Sequence, residues 1–187
     1  PATLRKLLSY DPDTGLLTWK RRSLEMFATE PAGKTWNTRF SGKPAFATLH
    51  DRGYRQGFIY HKSYYAHRVA YAIYHGNWPV MGVDHVNGDT GDNRIENLRD
   101  VSPSVNGRNA AMWSNNTSGV CGVGWNKASK KWRAQIRVRN KDYYLGYFEN
   151  FDDAVAVRAA AEVKYGFHPN HGRPAGPCLN MSPTVKF

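Results

Sequence analysis

Val83-Asp84-His85-Val86-Asn87-Gly88-Asp89-Thr90-Gly91-Asp92-Asn93-Arg94-Ile95-Glu96-Asn97-Leu98 is the stretch from which the rest of the chain is read. Val80 to Val86 has the pattern of a short strand, Asn87 to Asn93 is crowded with turn-forming residues, and Asn97 to Val101 can return as a second strand. Ser102-Pro103 then reads as a helix start, with Ser as N-cap and Pro in the first helical position of a helix running to about Trp113. The order strand, loop, strand, helix folds the chain back on itself. Asp84 and His85, an amide twelve residues later (Asn97) and another nine further on (Asn106) can then converge.

Those residue types supply what phosphodiester hydrolysis requires. One group must act as a base near water's line of attack, and a cation must neutralise charge on the phosphate and the leaving oxygen. The competing reading is a polar turn or a calcium loop, but the carboxylates miss the EF-hand spacing because no Glu stands at the twelfth position. Asp92 and Asn93 read as turn formers rather than ligands.

Residues 83–98 with Asn106 resemble the His-Asn-His (HNH) nuclease family, in the variant whose last position is Asn. The resemblance implies a ββα-metal (His-Me finger) core over about residues 80–113 holding one divalent ion, and its shell of carboxylate and amide oxygens, completed by water and phosphate, suits Mg²⁺, with Mn²⁺ as the alternative. In it His85 would be the general base, Asp84 and Asn106 the metal ligands, and Asn97 the residue that braces the loop and orients the histidine. Side chains alternate along a strand, so placing Asp84 and His85 together also implies a local distortion or a strand end. Tyr65-Ala66-His67-Arg68 resembles a recurring element of phage HNH proteins, which makes Arg68 and His67 candidates for contact with DNA. Packing is the commoner fate of a helix histidine, and Arg68 could instead hold the loop.

Outward from this core, leucines at 4, 7 and 8 suggest a short helix over Thr3 to Tyr10. Asp11 to Gly15 reads as a tight turn and Leu16 to Lys20 as a strand. Residues 21 to 45 lack periodicity and are expected to be irregular. Segments 45–50 and 54–60 suggest a hairpin around Asp51-Arg52-Gly53, and 63–75 an amphipathic helix ended by Gly76.

Ser114 to Gly119 is polar, and a boundary is placed there: residues 1–114 as the first domain, 115–119 as linker, 120–167 as a second domain and 168–187 as an extended tail. The second domain reads as three strands (about 120–126, 131–139 and 142–148) and a helix from about Asp152 to Tyr165. Within 127–141 stand Lys127, Lys130, Lys131, Arg133, Arg137, Arg139 and Lys141 with no acid. On a strand, Trp132, Ala134, Ile136 and Val138 share one face, and Arg133, Gln135, Arg137 and Arg139 the other. Such a basic face can lie on phosphates or enter a groove, although many basic faces are merely solvated.

The succession Ser118 to Trp125, Lys131 to Ile136, Tyr144 to Phe148 and Asp153-Ala154 resembles the AP2 domain, a three-stranded sheet backed by a helix that reads the DNA major groove. It departs from the plant members, where Cys121 and Gly124 stand in place of arginines, so the resemblance carries no target sequence. It implies DNA contact through Arg133, Gln135, Arg137, Arg139, Trp125, Lys127 and Lys131. With Tyr10-Asp11-Pro12-Asp13-Thr14-Gly15-Leu16-Leu17-Thr18-Trp19, the whole resembles phage-type HNH-AP2 endonucleases, often free-standing homing enzymes.

The net charge of +11 is spread over the chain: fifteen Lys/Arg face ten Asp/Glu up to residue 114, and eleven face five beyond it. That favours double-stranded DNA as partner. Cys121 and Cys178 form no CxxC and no disulfide framework, no apolar run spans a bilayer, and no signal peptide is read. A cytoplasmic, α+β protein acting as a monomer is the expectation, in the host cell if phage-encoded. The rival functions are a DNA-binding regulator on a vestigial HNH scaffold and an RNA-binding basic protein.

Overall fold

Leu7 and Leu8 are almost wholly inaccessible to solvent, and the chain changes conformation between them. Helix α1 (Ala2–Leu7) ends before Leu8, whose backbone is extended and opens β1 (Leu8–Tyr10). β1 pairs antiparallel with β2 (Leu17–Trp19), so the helix expected to reach Tyr10 is short and its last residues form a hairpin. The computed structural model describes residues 1–50 and 53–174, which form two compact units, one ending at Asp100 and the other beginning at Val101. The Asp51-Arg52 turn, Cys178 and the tail from residue 175 on lie outside the described residues.

Residues 21–45, expected to be irregular, contain α2 (Glu30–Phe40). The Thr29 side chain accepts from Ala32 N at its start, and Pro31 sits in the first turn. No apolar stripe announces this helix because its buried positions are Gly33 and Asn37. Asn37 is held by a two-way hydrogen bond with the backbone of Arg22, and Trp36 packs edge-on to Trp19 at 5.7 Å.

β3 (Thr48–Leu49), β4 (Arg55–Ile59) and β5 (Lys62–Tyr65) make a second sheet in that order. Because Ser63 to Tyr65 pair with β4, helix α3 (Ala66–His75) starts later than expected, and Gly76 ends it in the left-handed region. α3 buries Ala66, Val69, Ala70 and Ala72 against Leu4, Leu7, Leu8, Phe46 and Val83. β6 (Gly82–His85) and β7 (Leu98–Val101) pair as a two-stranded sheet beside this core.

In the second unit, α4 (Pro103–Gly107) is capped by Ser102 but ends at Gly107 instead of running to Trp113. The next residues bond elsewhere: Arg108 O accepts from His168 N, Ala110 O from Gly172 N, and Met112 N donates to Arg173 O. These bonds hold His168 to Arg173 against the 108–112 segment, so this part of the tail is packed rather than extended. They also place residues 101–113 with the second unit, ahead of the linker read from composition.

β8 (Val123–Asn126), β9 (Lys131–Val138) and β10 (Lys141–Phe148) form an antiparallel sheet in the order β10, β9, β8. Helix α5 (Phe151–Lys164) packs on it around Val123, Ala134, Trp132 and Ala154. Gly122 has φ +73, and a Cβ there would lie 2.3 Å from Gln135 O, so only glycine lets the backbone pass β9. Among the described residues no helix is long and apolar enough to cross a membrane.

Candidate active site

Asp84 and His85 close β6, and both are buried, at 7% and 3% exposure. The strand ends at His85, the circumstance in which neighbouring side chains need not diverge to opposite faces. Asp84 Oδ2 accepts from Arg99 Nε at 2.9 Å and Nη2 at 2.7 Å, a forked ion pair from the facing strand. Removing the guanidinium would leave a buried carboxylate without that counter-charge.

The His85 ring lies with Nε2 3.2 Å from Asn93 Oδ1. An amide oxygen can only accept, so the contact is a hydrogen bond when Nε2 carries the proton, and the basic lone pair then sits on Nδ1. Burial lowers the His85 pKa, with the Asn93 bond and the charges of Asp84, Asp89 and Asp92 acting the other way. The net effect favours neutral imidazole, the form that can accept a proton. Asn93, read from sequence as a turn former, therefore contacts the candidate base directly. An Asx residue in a turn carries no sequence signal that separates the two roles.

The rest of the loop holds these two in place. Asn97 Oδ1 accepts from Asn87 N at 2.8 Å and its Nδ2 donates to Asp92 O at 2.8 Å, while Asn97 O accepts from Val86 N. Asn97 thus braces the loop across its width. Asp92 accepts from Arg94 and Asn87, which holds its carboxyl down at about 2, and Asp89 accepts from Gly91 N. Both act as turn builders here.

A third support comes from the N-terminal hairpin, where Tyr10 Oη donates to Asn93 O at 2.8 Å and Ile95 N donates to Pro12 O. Gly15, at φ +74, lies against the same backbone, and a Cβ there would stand 2.6 Å from Arg94 N. The motif Tyr10 to Gly15 is therefore part of the site's scaffold.

His67 and Arg68, both candidates for DNA contact, lie on the helix beside the pair. His67 is 7% exposed and meets the His85 ring edge-on at 5.1 Å, with Tyr65 stacked on it at 5.5 Å. Burial foremost, then the charges of His85 and Arg68, lower its pKa to about 3, so it is neutral. Arg68 Nη1 donates to Met81 O at 3.1 Å, while Asp100 accepts from Val80 N and Met81 N. The start of β6 is pinned from two sides. His50, Tyr54, Tyr65, His67 and Arg68 line a hollow of about 520 Å³ beside it.

Asn106 sits on α4 in the second unit and is exposed. Among the described residues no three His, Cys, Asp or Glu side chains gather around one point. The Asp84 carboxylate is a hard-oxygen donor, the class of ligand that divalent cations such as Mg²⁺ take. The oxygen donors fit as well, although Arg99 already answers part of the Asp84 charge.

The second unit's sheet carries the basic residues. Register puts Arg133 opposite Gly124 and Tyr147, Gln135 opposite Tyr144, and Arg137 opposite Asp142, all on one face. Tyr144 and Tyr147 are 69% and 50% exposed, aromatic neighbours that the sequence reading did not include. Trp125 is paired with Trp132 and meets it edge-on at 5.2 Å, so it belongs to the opposite, α5-packed face. Arg139 lies outside β9, in the turn with Asn140, both at positive φ. Lys127 is exposed in the turn after β8, and Lys131 reaches Glu149 at 3.4 Å.

Three comparisons with known proteins bear on this geometry. Residues 64–108, from the end of β5 through α4, match the sequence model of a family described as HNH endonuclease. The chain is 31% identical over 61 residues to Protein 3.8 of Escherichia phage T7, a stretch covering 33% of this chain and 50% of that protein. It thus spans half the length of that curated relative. No solved structure matches the chain. The HNH endonuclease match therefore rests on residues 64–108, which include Asp84, His85, Asn93, Asn97 and Asn106 together with the helix that packs His67 against His85.

Proposed function

We propose that the chain is a DNA endonuclease of the HNH type that hydrolyses phosphodiester bonds with one divalent ion, Mg²⁺ or Mn²⁺. The observation that carries this reading is the buried His85 with its Nε2 on Asn93 Oδ1, lying inside the HNH-matching stretch. His85 is the general base: Asn93 holds the ring, Nδ1 takes a proton from water, and the neutral His67 beside it adds no competing charge. Asp84 and Asn106 are the proposed ligands of the cation, which when bound supplies charge neutralisation at the phosphate and the leaving oxygen. Asn97 keeps the loop closed beneath the base.

The second unit is proposed as an AP2-like grip on duplex DNA. Its face of Arg133, Gln135, Arg137, Tyr144 and Tyr147 offers cations, an amide and aromatic rings to phosphates and base edges. A phage-type homing role is part of the same proposal and is taken from the resemblance of the whole chain to HNH-AP2 endonucleases, and the T7 relative supports only the phage connection.

One observation favours a second reading, a DNA-binding protein that does not cut. The Arg99 fork already answers part of the charge on Asp84 that a catalytic cation would also require. Incubation of supercoiled plasmid with the chain in Mg²⁺ and in EDTA separates the two. Nicked or linear product only in Mg²⁺ is the expected result, and retarded but intact plasmid under both conditions would establish the non-cutting reading.

A further inference from the structure

We propose that a groove within the second unit binds an unpaired DNA strand, with a base stacked on Trp113 and phosphates on Arg108, Arg137 and Arg139. The groove encloses about 690 Å³ between the 108–116 segment and the β9 end of the sheet. Trp113 lines it while being 80% exposed. Keeping an indole in water forgoes a large hydrophobic gain, and such residues mark binding sites when they are held in place.

This one is held. Met112 N donates to Arg173 O, and Asn116 N donates to Trp113 O at 3.0 Å, closing a turn directly after the ring. The Asn116 side chain accepts from Ser118 N and Gly119 N and donates to Val120 O. The polar stretch read from sequence as a linker is therefore an ordered turn that presents Trp113.

Charge identifies the occupant. Arg108 and Arg139 have no acidic partner within ion-pair distance among the described residues. Arg137 faces Asp142 at 3.9 Å with both side chains more than half exposed, a pair too loose to neutralise it. Arg158 also lines the groove but is 4% exposed and tied to Cys121 O and Gln135 O. A polyanion with exposed aromatic faces is the complementary ligand. Duplex DNA keeps its base faces stacked on one another, whereas an unpaired base can lie on an indole, and that contact is sequence-tolerant.

The inference takes from the proposed function only that the partner is DNA, and its test needs neither cleavage nor metal. Fluorescein-labelled oligo(dT) and a duplex of equal length are titrated with the full chain in EDTA, reading anisotropy. Trp113→Ala should weaken single-strand binding by about 5-fold to 100-fold, with Trp113→Phe keeping most of the affinity and duplex binding changing less than about 2-fold. Arg108→Gln and Arg139→Gln should each lower the slope of log affinity against log salt by about 0.7 for the single strand.

Unchanged single-strand affinity in Trp113→Ala overturns the proposal, as does an equal loss for duplex or tighter binding of oligo(U) than of oligo(dT). Should Trp113→Ala fail to fold, an unchanged slope in the two arginine variants is the decisive negative. Intact single-strand binding without Mg²⁺-dependent nicking breaks the endonuclease reading alone, and the reverse pattern breaks the groove alone.

Discussion

Each unit buries a polar centre, and the two are built from different bonds. In the first, Arg99 forks onto Asp84 and Asn93 meets the His85 ring, two side chains that are themselves positioned by the fold. In the second, Arg158 is 4% exposed and donates to the main-chain carbonyls of Cys121 and Gln135, with the Glu162 carboxylate at 2.9 Å and His171 Nε2 at 3.3 Å beside it. Buried backbone acceptors that lose a partner destabilise the fold itself, whereas a side chain that orients another can be removed with the chain still folded. A buried charge bonded to backbone is architecture. A buried pair held by side chains is where chemistry can be housed.

Four experiments break or sharpen this contrast. His85→Ala should lower the Mg²⁺-dependent nicking rate by about 10²-fold to 10⁴-fold with the chain still folded and its DNA affinity within about 2-fold. Retained nicking would remove His85 as the base. Arg158→Met should do the opposite, lowering unfolding free energy by about 3 kcal/mol in urea titrations, because Cys121 O, Gln135 O and Glu162 lose a shared partner. A loss below about 1 kcal/mol would mean that the clamp is redundant.

Asn93→Ala should slow nicking by about 10-fold to 100-fold while leaving DNA affinity within about 2-fold, since it frees the His85 ring to turn. A fall in affinity with an unaltered maximal rate would instead place Asn93 on the DNA. The smallest effect is in pH. His67 and His171 have pKa values lowered to about 3 and about 4, chiefly by burial. The unfolded chain takes up protons near the ordinary 6.5 that the folded chain refuses. Stability is therefore fully present above that pH and falls as pH drops, down to about 4 for His171 and about 3 for His67. Urea titrations at pH 7 and 5 should differ by up to about 1.4 kcal/mol per pH unit for each histidine, and His67→Phe should remove one share of that slope. Identical stability at both pH values would show that these rings are protonated in the folded state.

How much of this was legible in the sequence varied with the kind of signal. The β6 and β7 strands and the Ser102 cap announced themselves through local pattern, as did the sheet of the second unit with its alternating Trp132, Ala134 and Ile136. Helix α2 did not, because it buries a glycine and an asparagine rather than a stripe of apolar side chains. Helix α4 was overestimated, since the backbone of 108–112 bonds to residues more than fifty positions away instead of continuing the helix. Asn97 is singled out in the sequence only by the family resemblance, and its two side-chain bonds to Asn87 N and Asp92 O depend on how the loop closes. Asn93 is not distinguishable by sequence from an ordinary turn residue, and the pairing of Trp125 with Trp132 needs a strand register that local pattern does not supply.

By itself the sequence determined the residue types and their order: a carboxylate and an imidazole side by side, amides downstream, and a basic strand with an apolar back. Those are consequences of composition and periodicity, which act over a few residues. Only the tertiary structure decided that Arg99 faces Asp84, that Asn93 meets the His85 ring, that Tyr10 and Gly15 support that asparagine, and that a turn holds Trp113 in the open. Each of these depends on strand register or on closure of a long loop, and neither follows from local pattern because many registers satisfy the same alternation of apolar and polar residues.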